Sequence, residues 1–181
     1  MAVRTDLTTQ LESDIDALVD ADVGSLADAE SVEALHRQLD RLEAVVTRAT
    51  ARFDSDGAYE PDGAFSAAAW LATRRHLPAA SARRRVHLGR ALRHMGLVEA
   101  AWLDGHIGAA QVGALDAVRT PAVAECFARD ESLLVGHATA MSYRSFCTTL
   151  AYWAQLADPD GAEDRATAEH DSRQLHLSQT F

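Results

Sequence analysis

Seven apolar residues, Val32, Leu35, Leu39, Leu42, Val46, Ala49 and Phe53, follow one another at alternating spacings of three and four. Only an α-helix returns side chains to one side at that interval, because a strand would scatter them over both faces. The stripe covers about three heptads and predicts one long helix whose seam packs on a partner. That partner is either the rest of its own domain or a second copy of the chain. Ser25 followed by Asp28 offers a capping box where this helix starts, and the helix runs to about Phe53.

The chain on either side keeps the helical period. Leu7, Leu11, Ile15 and Leu18 predict a shorter amphipathic helix with an acidic outer face. The segment DSDGAYEPDGAF breaks the long helix with two Asp-Gly turns. Ser66 caps a helix carrying Trp70 and Leu71 that stops before Pro78, since the residue preceding proline avoids helical geometry. A helix then runs from Ala79 to Met95, followed by a pair over Leu97–Asp104 and Ala109–Val118 around Gly105, closed by Pro121. Helices over Ala122–Thr139 and Tyr143–Ala157 complete an all-α, multi-helix bundle with one long heptad-like helix and helical hairpins. In this reading residues 1–157 form the helical domain, with residues 1–24 as an acidic N-terminal helix. Residues 158–181 are an acidic linker, and the alternation of Leu175, Leu177 and Phe181 predicts a short C-terminal strand leading toward a downstream domain.

Composition narrows the chemistry. The sequence contains no lysine and no asparagine, which excludes a P-loop lysine, a Schiff-base lysine and any site that requires Asn. Its positive charge is all arginine, suited to two-pronged contacts with phosphate or carboxylate; a GC-rich coding sequence would give the same bias. The two cysteines, Cys126 and Cys147, lie far apart and make neither a disulfide framework nor a zinc spacing. They read as small buried apolar residues in a reducing, cytoplasmic protein. The uncharged run Ser145 to Ala157 is too short to span a bilayer, so no membrane association is expected.

The formal net charge of -10 hides an uneven distribution. Eight acids and one arginine occupy the first 30 residues, whereas no acid lies between Asp62 and Glu99. Within that gap stands RRHLPAASARRRVHLGRALRH, with seven arginines and three histidines. Proline divides it between two helices. On the second, Leu88, Leu92 and Met95 fall on one side and Arg83, His87, Arg90 and His94 stack on the other as an outward ridge. Arg84 and Arg85 point to the flanks, with stems over apolar surface and heads in water. The two helices also suggest a helix-turn-helix, although the turn has His-Leu-Pro where a glycine is usual and Arg85 stands where an inward apolar residue is expected. An ordinary helical hairpin fits the same residues.

No catalytic constellation stands out. Asp54, Asp56 and Gly57 resemble the opening of a calcium loop, but the glycine comes fourth where an EF-hand needs it sixth, and Phe65 holds the place of the bidentate glutamate. His87 and His94 are two helical turns apart, too far to share a metal ion without a third element. Asp104 and His106 flank a turn with no nucleophile marked beside them. No catalytic residue, metal or cofactor is assigned.

The order LDRLEAVVTRATARFDSDGAYEPDGAFSAAAWLATRRHLPAASARRRVHLGRAL, LDGHIGAAQVGAL, FCTTLAYWAQLADPDGAEDR and RQLHLS resembles the actinobacterial family called domain of unknown function 222. The resemblance covers residues 30 to 181. It implies the helical N-terminal region of proteins that end in an HNH endonuclease domain, and hence a nucleic-acid context. Nuclease chemistry does not carry over, because this chain has no Asn and no ββα module with the required histidines.

Two readings therefore stand side by side. In the first, the chain is a non-catalytic DNA-binding or target-positioning module: Arg83 and Arg90 contact phosphates of double-stranded DNA, Arg74, Arg84 and Arg93 assist, and His87 and His94 share the ridge. In the second, it is a protein interaction or dimerisation module with no nucleic-acid contact. There the long helix pairs with another copy or with a downstream domain, and the arginines meet the chain's own acidic segments.

Overall fold

The computed structural model describes residues 2–159, with side chains from Asp6 onward. It is all-α, as the periodicity predicts, and the C-terminal strand expectation lies outside the described residues. Eight helices are present among the described residues: α1 (Ala2–Asp20), α2 (Ala29–Ser55), α3 (Ala67–Arg74), α4 (Ala79–Leu92), α5 (Gly96–Leu103), α6 (Ala109–Val118), α7 (Ala124–Ala140) and α8 (Tyr143–Ala157). The chain divides into two compact units, Met1–Leu39 and Asp40–Phe181, with the boundary inside α2.

In the first unit the apolar stripes are exposed. Leu7, Leu11, Ile15 and Leu18 of α1 and Val32, Leu35 and Leu39 of α2 all face solvent. The long helix begins three residues later than a Ser25 cap would place it. Asp28, not Ser25, caps it, accepting from the Ser31 backbone N–H at 2.9 Å. Bonds from the Ser31 side chain and backbone hold the Asp28 carboxyl below its ordinary range. Ser25 sits instead in a short 3₁₀ turn, where its hydroxyl donates to the Asp22 carbonyl.

In the second unit the buried side of α2 is not its leucine seam. Ala44, Thr47 and Thr50 are buried, while Val46 of the seam is exposed. These small residues let another helix approach closely. At Gly89 of α4 an added Cβ would lie 3.0 Å from both the Ala51 Cβ and the Thr47 carbonyl oxygen, so the glycine marks a crossing of two backbones. Hydropathy cannot reveal such a contact, because the groups that make it are small or weakly polar.

Helix α4 stands between two apolar clusters. Ala82 and Val86 pack with Ala67 and Leu71 of α3, with Phe53, Tyr59 and Trp70 around them. Leu92, and Met95 just beyond the helix, join the larger core built from α5 to α8, around Trp102, Phe127 and Phe146. The turn between α3 and α4 resolves the missing glycine. His76 takes a left-handed φ of 51°, the position glycine usually fills, and the Leu77 N–H reaches back to the Ala72 carbonyl at 3.1 Å.

Glu131 of α7 has no counterpart in the sequence reading. It is buried in the helical core, and its Oε1 accepts from the N–H groups of Leu97 at 2.8 Å and Val98 at 3.0 Å. The first turn of α5 is thus capped by a side chain from another helix, since Met95 at its own N-cap offers no side-chain acceptor.

Candidate nucleic-acid interface

Helix α4 carries most of the arginines singled out above, and its geometry decides which are available. Arg83, His87, Arg90 and His94 are all exposed. Three of the predicted contacts nevertheless already have protein partners. Arg90 makes a two-pronged pair with Asp54 at the end of α2, Nε to Oδ2 at 2.7 Å and Nη2 to Oδ1 at 2.8 Å, which raises the guanidinium pKa further. Arg74, the last residue of α3, lies 3.2 Å from Asp62. The His87 Nε2 sits 3.0 Å from Asp116 Oδ2 on α6.

Those acids come from the last turn of α2, the α2–α3 connection and α6. Asp62 also accepts from the Trp70 indole at 2.6 Å, and that bond, followed by the charge of Arg74, lowers its pKa. Asp56 pairs with Arg52. The aspartates that resembled a calcium loop are thus committed to side-chain partners, and among the described residues no group of three potential metal ligands occurs.

The remaining arginines differ. Arg93 is exposed and donates Nε to the Arg90 carbonyl at 2.8 Å. Arg75, at the end of α3, and Arg83 are exposed, and no described carboxylate pairs with either. Arg84 and Arg85 are likewise without an ion-pair partner among the described residues. Arg84, which is exposed, and Arg85, which is half-buried, line a cleft between α2, α4 and α6, which His87 also borders. Half-buried Arg85 is no misplaced core residue: it lines that cleft, while Ala82 and Val86 supply the helix's buried contacts.

Asp104 and His106 are exposed and form no ion pair among the described residues. Cys126 and Cys147 are free and half-buried. No helix among the described residues is long and apolar enough to cross a membrane. What α4 and the α3–α4 turn present to solvent is a set of arginine and histidine side chains.

No curated protein and no solved structure matches the chain. A family model described as a domain of unknown function, DUF222, matches residues 29–180, and the chain belongs to that family.

Proposed function

We propose that this domain is a non-catalytic helical module that rests on the phosphate backbone of duplex DNA through the outer face of α4 and the α3–α4 turn. In that role it would position a longer, HNH-type parent on its target. The observation that carries the reading is the exposed pair Arg75 and Arg83, unmatched by any described carboxylate, in a stretch from Gly63 to Val98 without one acidic residue. Arg93 and His94 are exposed just beyond the end of α4, while Arg74 and Arg90 are cations shared with Asp62 and Asp54. Such contacts provide affinity and register rather than choice of sequence.

The test is duplex affinity across a salt series. Each phosphate contact contributes about 0.9 to the slope of log affinity against log salt, so Arg83→Ala/Arg93→Ala should flatten the slope by about 1.8. Arg90→Ala should flatten it less, because Asp54 already neutralises that cation. No binding at low ionic strength would overturn the reading.

A second reading rests on a separate observation, the uncovered stripe Leu7, Leu11, Ile15 and Leu18 of α1. Apolar surface in such a row favours a protein partner, and a second copy of the chain is the simplest. A dimer on sizing that Leu11→Glu/Ile15→Glu dissolves, together with no duplex binding, would favour this reading.

A further inference from the structure

Three consecutive arginines on a helix are about 100° apart, so Arg83, Arg84 and Arg85 cannot share one face. Arg83 belongs to the outer surface, whereas Arg84 and Arg85 line a cleft of about 420 Å³ together with Ser81 and His87 of α4, Glu43 of α2 and Asp116 of α6. The volume lies within the range of small-molecule sites, roughly 300–1,000 Å³. Gly113 of α6, also in the lining, lies beside one of these side chains. An added Cβ at Gly113 of α6 would stand 3.4 Å from Arg84 Nη2, so the guanidinium lies across the glycine.

The charged groups lining the cleft are only partly paired with each other. Asp116 is taken by His87 at 3.0 Å. Glu43 forms no ion pair among the described residues, nor do Arg84 and Arg85, although all three line the one cavity. Arg85 is half-buried, and withdrawing a cation from water without a counter-ion is unfavourable. Two arginines without an ion-pair partner and a hydroxyl, lining one cleft, offer the donors that a doubly charged tetrahedral group accepts from. A phosphate monoester carries a charge of about −1.5 to −2 near neutral pH, which matches two arginines.

We propose that this cleft binds a phosphate monoester, with Arg84 and Arg85 holding the phosphate oxygens, Ser81 donating its hydroxyl, and Glu43 left to accept from donors on the organic part. The group can come from a free nucleotide-like molecule or from the phosphorylated end of a polynucleotide. The site does not depend on the duplex reading, since neither Arg83 nor Arg93 lines it.

The experiment is calorimetric titration of the full chain with a nucleoside monophosphate, with the matching nucleoside, and with a short single-stranded oligonucleotide with and without a terminal phosphate. The monophosphate should bind and the nucleoside should not. Arg84→Gln/Arg85→Gln should weaken binding by at least about tenfold, the scale of one lost charged hydrogen bond. Ser81→Asp is the independent control for folding. It sits in the first turn of α4, where an acid favours the helix, yet it sets a negative charge at the phosphate position. Arg83→Ala/Arg93→Ala should bind the monophosphate as the native chain does, even if duplex affinity is lost. Preference for the end-phosphorylated oligonucleotide over the free monophosphate would assign the polymer end, and the reverse would assign a free ligand. No monophosphate binding at millimolar concentration, or undiminished binding by a folded Ser81→Asp chain, would overturn the proposal.

Discussion

Replacing Glu131 with alanine removes the only side-chain acceptor given to the first turn of α5 among the described residues. The cost divides unevenly between the two N–H groups it serves. Leu97 is 50% exposed and Val98 is 0% exposed, so water can reach the first N–H but not the second. A hydrogen bond to a charged group contributes about 1.5–3 kcal/mol, and a stranded buried donor retains its full desolvation penalty. Assigning about 1 kcal/mol to the Leu97 bond and about 2–3 kcal/mol to the Val98 bond gives about 3–4 kcal/mol for Glu131→Ala. For a chain of this size that lowers the melting temperature by about 10 °C. Glu131→Gln keeps an acceptor oxygen of the same reach and loses only the charge opposite the helix dipole, so its cost should be about 1 kcal/mol. Urea unfolding followed by circular dichroism measures both, and amide exchange at Val98 reports the bond directly. If Glu131→Ala loses less than about 1 kcal/mol, or if Gln is as damaging as Ala, the capping argument is wrong and the residue acts through packing alone.

Gly89→Ala should destabilise by about 1–3 kcal/mol in the same unfolding assay, since the new methyl meets the rigid Thr47 carbonyl and the Ala51 Cβ. Stability equal to the native chain would mean that α2 and α4 do not cross so closely. Asp130 accepts from Arg129 and from the Trp153 indole, and these bonds, Arg129 first, lower its pKa to about 2. A carboxyl depressed in the folded state stabilises the fold above its unfolded pKa, so this contribution is complete above about pH 4 and fades as pH falls toward 2. Carbon NMR of the Asp130 carboxyl should give that low midpoint, and Arg129→Gln should raise it toward the ordinary value.

Much of the architecture was legible in the sequence because helix boundaries are local events. Ser66 accepts from the Ala69 N–H at 3.1 Å as an N-cap should, and Gly105 turns the α5–α6 pair with a φ of 74°. The order and number of the helices follow from such signals together with the apolar period. The α4 ridge was also legible, as a set of exposed positions, because exposure on a helix follows from its geometry. Which of those cations are already neutralised was not. Arg90 meets Asp54 across 36 residues and His87 meets Asp116 across 29, and no spacing rule reaches that far.

The sequence by itself therefore determined that this chain is a set of helices with a carboxylate-free basic middle. Periodicity, caps and turn residues act within a few positions of one another, and they suffice for that. Only the tertiary structure decided which face of α2 is buried, that Glu131 caps a distant helix, and that the arginine run divides into an outer surface and an inner cleft. The physical reason is common to all three: they depend on close approach between backbones and on charges brought together across the fold, and neither leaves a mark on local hydropathy.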